Sequence, residues 1–512
     1  MAQTMSRCNS DSALRPTMVV RSVGRDLGRL FERALAVFAI VAAASFAFVA
    51  LAHVTDRAFI TYQAGSRMGL ALYAREGILY PPLSHGGLYG GTRMMPVPIL
   101  LHTGLSFVTG EFLASGKLLT YLSYLALLIV SFGVMRSFGC SAARSAVLLA
   151  AVTVSAVGIW TSLTISYDAL PVALQLIALV LVARARGRAA IVAAGLLCAL
   201  ALFSKLSAVW GVGAIGSWLW LRNRQALGSF LGGYLAASGL GFVLVQLASG
   251  GRFWENIVTF SSSAVGDEGV GRVPSQLAEM APIAPVFYVL LPLAVIELVL
   301  AGRGNGITIY HLALPFAAAS LIVVLTRSGA VFNHMLDLMI LSAVLTARLW
   351  MRWTQELPSR AALLPIAVVL AILVSYPVLR ISVVEASPGL LQGDARFLDR
   401  LVGPGDRILS EDASIPIARG QVPVVLDPFL LPTIGARDPV ALTALVESVE
   451  RHEFDRVILA YPMDDAPEGW YTMQFGTRVA DAIERNYFLL EGRRTYYYVY
   501  APRPSQGEVL SH

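Results

Sequence analysis

Residues 34–57 read ALAVFAIVAAASFAFVALAHVTDR. No charge interrupts the run from Ala34 to Ala52. As a helix it is long enough to cross the roughly 30 Å hydrocarbon core of a bilayer. It ends abruptly in His53, Asp56 and Arg57. Ahead of it, residues 1–33 are rich in serine and arginine. A cleavable secretion signal would set its apolar stretch close behind a short basic region, so the run is read as an uncleaved first span behind a cytoplasmic basic tail.

The rest of the chain repeats this pattern. Its 512 residues are 56% hydrophobic and 14% charged, whereas soluble domains carry about 25% charged residues. A deficit of that size indicates a chain solvated mostly by lipid. Net charge is +6, but the basic residues lie in short clusters between apolar runs, which argues against a nucleic-acid partner. Three cysteines give no disulfide framework.

Apolar stretches recur at 34–53, 96–110, 116–135, 145–165, 169–183, 188–204, 206–221, 227–248, 283–301, 308–326, 334–350 and 362–382. Lys and Arg near span ends stay cytoplasmic. The basic clusters are Arg7 to Arg33, Arg136 with Arg144, Arg184 to Arg188, Arg222 with Arg224, Arg303, and Arg348, Arg352 and Arg360. All can lie inside only if one stretch does not cross. The weakest is 96–110, which is short and contains Pro96, Pro98, His102 and two glycines. It is read as re-entrant or lying in the outer interface. About 11 spans remain, with the N-terminus cytoplasmic and the C-terminus outside.

From about 384 polar residues return. β-like runs (Arg407–Leu409, Val422–Leu426, Arg456–Ala460, Tyr496–Tyr500) alternate with helical ones (Val440–Glu450, Thr477–Glu484), which predicts a small extracytoplasmic α/β domain. No GxGxxG fingerprint follows its first strand, so no nucleotide is assigned. The expected organisation is a tail (1–33), a helical membrane domain (34–383) with a long outer loop (54–95), and the α/β domain (384–512).

This topology gathers ionisable groups on the outer face, where they are costly unless used. Asp56, Arg57, Tyr62, Arg67, Arg75, Tyr80 and Arg93 lie in the first outer loop. Asp168 and Lys205 close apolar spans. Arg252, Glu255, Asp267, Glu268 and Arg272 share a second long loop, and Arg327, Asn333, His334 and Asp337 surround a later span start. A carboxylate can deprotonate an acceptor hydroxyl, and Lys and Arg can hold a phosphate leaving group. Each residue also has a plainer reading. Asp56 can cap a loop helix, Lys205 can snorkel to the interface, and Asp168 can cap the helix beginning at Ala169. His334 and Asp337, three apart on one helix face, can form a polar contact between helices.

These residues resemble the GT-C superfamily of membrane glycosyltransferases, most closely the family 39 type, which includes protein O-mannosyltransferases and bacterial lipid A aminoarabinose transferases. The likeness rests on Asp56 just after the first span, on Tyr80-Pro81-Pro82 later in the same loop, and on Ser166-Tyr167-Asp168 opening a span. The segment Ala193–Lys205 and the run Asn333-His334-Met335-Leu336-Asp337 add to it. Asp56 is followed by Arg57 rather than by a second acid, and a glycine-rich insertion (Gly86 to Gly91) follows the Tyr-Pro-Pro stretch. The resemblance implies transfer of a sugar from a polyprenyl-phosphate donor to an extracytoplasmic glycan, lipid or protein. Asp56 would be the base, with Lys205, Arg67 and Arg93 on the donor phosphate. Tyr62, Tyr80, Asp168, Asn333, His334 and Asp337 would line the cavity. No metal ligand is assigned, and a divalent metal is left open. The alternative is a transporter or flippase for a lipid-linked or anionic substrate. Such proteins usually show internal repeats and mid-membrane broken helices, and the sequence has no evident repeat.

Overall fold

The computed structural model describes residues 14–57, 60, 62–262, 269–304, 306–326, 332–357, 363–385, 397–492 and 497–504. The tail before Leu14, Asp267, Glu268, Arg327 and Arg360 lie outside the described residues. The membrane part is helical throughout. Its helices are α1 (Leu14–Ala52), α2 (Tyr62–Arg75), α3 (Pro96–Thr109), α4 (Phe112–Ser137), α5 (Ala142–Val154), α6 (Ala156–Leu163), α7 (Ala169–Ala183) and α8 (Arg188–Leu202). They continue as α9 (Trp210–Arg222), α10 (Arg224–Ala248), α11 (Arg252–Ser262), α12 (Arg272–Met280), α13 (Pro285–Arg303), α14 (Ile309–Leu325), α15 (Leu336–Glu356) and α16 (Leu363–Glu385).

Every apolar stretch of the sequence is a helix. Five are long and apolar enough to cross a membrane: Arg33–Ala52 of α1, α4, α10, α13, and Phe332–Glu356 containing α15. α5 and α6 make a sixth if taken as one bent span. The remaining expected crossings fall on the shorter helices α7, α8, α9 and α14 and on α16. α15 is the centre of the bundle. Leu338 to Ala347 are buried without exception, as expected of a helix apolar on all sides. α10 is its opposite, turning nearly all its surface outward.

The stretch 145–165, read as one span, is in fact broken by a 78° bend. Ser155 adopts an extended conformation (φ −71°, ψ 158°) that ends α5, and its hydroxyl accepts the Gly158 N–H at 3.1 Å to cap α6. A Cβ on Gly158 would lie 2.1 Å from the Val152 carbonyl oxygen, so only glycine permits this corner.

The bundle has two chemically different ends. At one, Glu297 is fully buried among Arg352 Nε (3.1 Å), Arg348 Nε (3.3 Å) and His311 Nε2 (3.5 Å). Arg144 reaches Thr354 from the neighbouring helix there. The other end holds Asp56, Asp168, Lys205 and Asn333 in mutual contact networks. Arg144, Arg348 and Arg352, from two of the basic clusters, thus share one end of the bundle. Near the start of α3, Val97 N–H bonds the Phe203 carbonyl (3.0 Å), and in mid-helix His102 Nε2 meets the Phe112 carbonyl (2.7 Å). These contacts set α3 beside the segments that carry Lys117 and Lys205.

The C-terminal domain carries a four-stranded sheet in the order β1 (Ile408–Ser410), β2 (Arg456–Leu459), β4 (Tyr498–Pro502), β3 (Tyr487–Gly492). β1 and β2 are parallel and the other pairs antiparallel. Helices α17 (Ser414–Ala418), α18 (Leu431–Arg437), α19 (Pro439–Glu450), α20 (Trp470–Gln474) and α21 (Thr477–Asn486) pack around it. Val422–Leu426, expected as a strand, is not in the sheet. Its polar groups are taken by Tyr89, which bonds the Val424 carbonyl at 2.7 Å and the Leu426 N–H at 2.9 Å. The glycine-rich insertion makes this docking feasible. Gly86 and Gly87 take positive φ (57° and 79°) in the turn from His85 to Leu88. A Cβ on Gly90 would lie 2.5 Å from the Pro82 carbonyl oxygen. Tyr89 OH then donates to the Ala441 carbonyl (2.6 Å) and Ser84 Oγ to Asp438 (2.7 Å), joining the first outer loop to the C-terminal domain.

Candidate active site

The loop between α6 and α7 places Asp168 against α8 and the turn before α15. Its Oδ1 accepts Lys205 Nζ at 2.6 Å, and its Oδ2 accepts Ser166 Oγ at 2.6 Å and Asn333 Nδ2 at 2.9 Å. Burial alone would push this carboxyl up, but Lys205 and Arg67 beside it hold it well below the usual carboxylate range. Asp168 is thus a fixed anion that orients a lysine, not an N-cap, since it makes no capping bond to α7. Asp337 Oδ1 accepts the Trp210 indole N–H at 2.6 Å and lies within electrostatic reach of Lys205 and Asp168.

The three cations expected on a phosphate differ in how far they are engaged. Arg67 is buried; it donates to the Ile165 carbonyl and stacks over Tyr167 at 5.5 Å, so it is committed to holding the 164–168 loop. Lys205 gives one hydrogen bond to Asp168 and remains partly exposed (18%). Arg93 stacks on Phe429 at 5.2 Å, and none of its guanidinium N–H groups bonds a described residue. His334 is also half-buried with no hydrogen bond among the described residues. Arg93 and Lys205 both lie within electrostatic reach of His334. Polar groups with spare hydrogen-bonding capacity from three segments therefore lie near one another.

Asp56 sits in an adjoining cluster. Its Oδ2 is 2.5 Å from His53 Nδ1, and its side chain is 37% exposed. Lys117 of α4 is fully buried; its Nζ donates to the carbonyls of His53 (2.5 Å) and Asp56 (2.7 Å) and lies 3.5 Å from Asp56 Oδ1. One turn along α4, Thr120 Oγ1 donates to the Ser166 carbonyl at 2.8 Å, linking this cluster to the Asp168 loop. Arg57 turns the other way. It bonds Ser414 Oγ (2.7 Å) and Asp412 Oδ2 (3.3 Å) of the C-terminal domain, and Asp412 also accepts Tyr497 OH at 2.5 Å.

Tyr62 meets Trp470 edge-on, with ring centroids 6.4 Å apart, and lies within electrostatic reach of Arg93 and Asp427. Loss of solvent holds the Asp427 carboxyl above the usual carboxylate range, against the opposing pull of Arg93. Tyr80 stands apart from the group. It is fully buried against Phe253 and donates to the Met94 carbonyl at 2.8 Å, so it shapes the loop. Sequence reading missed Lys117, Asp427, Trp470 and Gln474. Lys117 had a signal, being an ionisable residue inside an apolar stretch. Among the described residues no three His, Cys, Asp or Glu side chains group as a metal-binding set.

An apolar groove of about 460 Å³ opens beside this end. Pro96, Leu100, Leu200, Phe203, Gly241 and Leu244 are among its lining residues. Lys205 follows the groove-lining Phe203 by two residues and Arg93 precedes the groove-lining Pro96 by three.

No known family profile matches this chain, and no curated protein sequence does. Solved structures do match. ArnT from Cupriavidus metallidurans bound to undecaprenyl phosphate superposes with a TM-score of 0.58 at 12% identity, covering 91% of this chain and 98% of that one. The oligosaccharyltransferase of Archaeoglobus fulgidus, in its apo form, gives a TM-score of 0.53 at 11% identity, covering 93% of this chain and 75% of that one. At such identities the likeness is one of architecture alone: a polytopic helical domain followed by a small mixed-sheet domain.

Proposed function

We propose that this chain transfers a sugar from a polyprenyl-phosphate donor to an acceptor at the Asp56–Lys205 end of the bundle, which faces away from the cytoplasm. The observation that supports this most is the set of unmatched donors on Arg93, His334 and Lys205 at the head of an apolar groove. Lys205 already has Asp168 as its counter-charge, but the half-buried Arg93 guanidinium bonds no described residue, which is costly unless a ligand supplies the counter-charge. A phosphate with an isoprenoid tail matches both parts, and ArnT, of the same fold, is bound to undecaprenyl phosphate in its structure.

In the reaction, the acceptor hydroxyl oxygen attacks the anomeric carbon as the bond from that carbon to the phosphate oxygen breaks. Asp56, the accessible carboxylate of its cluster, takes the hydroxyl proton. The bonding electrons leave with polyprenyl phosphate, whose developing charge Arg93 and Lys205 stabilise. Asp168 keeps Lys205 aimed, and Lys117 holds the backbone on either side of Asp56. The acceptor's class, whether glycan, lipid or protein, is left open by this reading. The test is release of polyprenyl phosphate from radiolabelled polyprenyl-phosphate sugars by membranes containing the protein. Wild type should release it, and Asp56→Asn should not, at equal membrane abundance. Near-normal release by Asp56→Asn would remove Asp56 from the base role. No release by wild type from any such sugar would sink the enzyme reading and favour transport.

A further inference from the structure

Four groups at the junction of the two domains have chemistry that the phosphate reading does not use. Gln474 is completely buried, and neither its amide oxygen nor its amide nitrogen makes a hydrogen bond of good geometry among the described residues, the Tyr62 hydroxyl being the polar group beside it. A buried amide without good partners is costly, and a leucine there would avoid the loss. Asp427 spends Oδ1 on the Phe429 N–H (3.2 Å), capping the turn at Pro428–Leu430, and Oδ2 bonds no described residue. Trp470 is pinned at its indole nitrogen by Glu411 Oε1 at 2.9 Å. Its ring stands edge-on to Tyr62 and to Tyr461, with centroids 6.4 and 5.0 Å away.

These groups share one place. Trp470 and Gln474 are one helical turn apart on α20, hence on one face. Gly469 (φ 72°) makes the left-handed turn that starts this helix, a conformation that glycine adopts at least cost. The Gln474 amide lies beside the Tyr62 hydroxyl, and Asp427 and Arg93 lie within electrostatic reach of that hydroxyl. The Tyr62 hydroxyl accepts a long hydrogen bond from Gln63 Nε2 (3.3 Å) and also faces the Gln474 amide. Arg93 lies within electrostatic reach of both His334 and Asp427. A glycosyl phosphate held by Arg93 would therefore extend its ring toward Asp427.

We propose that Asp427, Gln474 and Trp470 of the C-terminal domain, together with Tyr62, form the pocket that recognises the sugar ring of the lipid-linked donor. A carboxylate accepts from ring hydroxyls, a primary amide both donates and accepts, and the aromatic rings offer apolar faces. Buried polar groups that only the correct hydroxyls can satisfy make strong discriminators, because an analogue lacking them leaves the site unpaired. The proposal rests on the polyprenyl-phosphate reading above and assigns donor selection to the soluble domain.

The test compares two lipids on the full-length protein in nanodiscs, by native mass spectrometry: undecaprenyl phosphate, and undecaprenyl phosphate carrying glucose, mannose, galactose or arabinose. Wild type should bind at least one sugar-bearing lipid tighter than undecaprenyl phosphate. Gln474→Leu should erase that margin, roughly tenfold or more, while its affinity for undecaprenyl phosphate stays within about twofold. It should also melt no lower than wild type, since the orphan amide is gone. Trp470→Phe, a milder change, should shift the same margin in the same direction. An unchanged sugar margin in both variants would overturn the proposal while leaving the lipid-phosphate reading intact. So would a defect confined to the acceptor's KM. Failure of wild type to bind undecaprenyl phosphate at all would overturn both.

Discussion

Asp412→Ala is the perturbation that most directly probes how the C-terminal domain acts on the membrane domain. Asp412 is buried and accepts from Tyr497 OH (2.5 Å), Ser414 N (2.8 Å) and Arg57 Nη2 (3.3 Å). Gly65 of α2 packs against the same carboxylate, since a Cβ there would lie 2.4 Å from Asp412 Oδ1. Hydrogen bonds to a charged group contribute about 1.5–3 kcal/mol each, and removing one partner of a buried charge network costs about 3–5 kcal/mol. Arg57 is 27% exposed, so its share is at the low end, near 1 kcal/mol. Stability should therefore drop by about 3–5 kcal/mol in Asp412→Ala and by about 1 kcal/mol in Arg57→Gln, and the double variant should be less destabilised than the sum. Because Arg57 adjoins Asp56, release of this clamp shifts the proposed base, and displacements near 1 Å cost on the order of 100-fold in rate. The assay is thermal unfolding in detergent together with sugar transfer at saturating donor. Wild-type melting and turnover in Asp412→Ala, or strict additivity with Arg57→Gln, would refute the clamp.

Two further outcomes follow from the geometry. Burial pushes the Glu411 carboxyl up to about 7, against the hydrogen bonds from Ala460 N–H and Trp470. Its folded pKa thus exceeds its unfolded value near 4.3, so the folded state binds the extra proton and stability falls as pH rises between about 4.3 and 7. Glu411→Gln should flatten that slope, and parallel melting curves for both proteins from pH 5 to 8 would contradict it. Gly158→Ala must push its new methyl away from the Val152 carbonyl, 2.1 Å distant. It should destabilise by about 1–3 kcal/mol as overpacking does, whereas the exposed Gly104→Ala, with nothing within 4 Å, should not, as differential melting will show.

Much of this architecture is legible in the residues because lipid imposes simple rules. Uncharged runs became helices, and arginine clusters such as Arg144 and Arg348 lie at one end because charge is excluded from the core. The bend at Ser155 was not readable, because Ser-Ala-Val-Gly is as apolar as its surroundings and the corner depends on one missing Cβ. Val422–Leu426 has strand composition, yet Tyr89 from a distant loop takes its hydrogen bonds. β3 (Tyr487–Gly492) follows α21 without a turn signal and was missed. Asp56, Asp168, Lys205 and His334 were readable as stranded charges. Asp427, Trp470 and Gln474 were not, since their meaning comes from which loop the C-terminal domain touches. Arg67 has the composition of a phosphate ligand, but its burial against Tyr167 assigns it to the loop.

The account stands on Arg93, Lys205 and His334 forming an open anion site at the head of an apolar groove. The most direct measurement is the binding of undecaprenyl phosphate to the purified protein, compared with Arg93→Ala, Lys205→Ala and, as a control, the basic-end variant Arg352→Ala. Wild type and Arg352→Ala should bind one lipid per chain with equal affinity, and the two site variants should bind at least about tenfold more weakly. Equal binding by all four proteins would contradict the account.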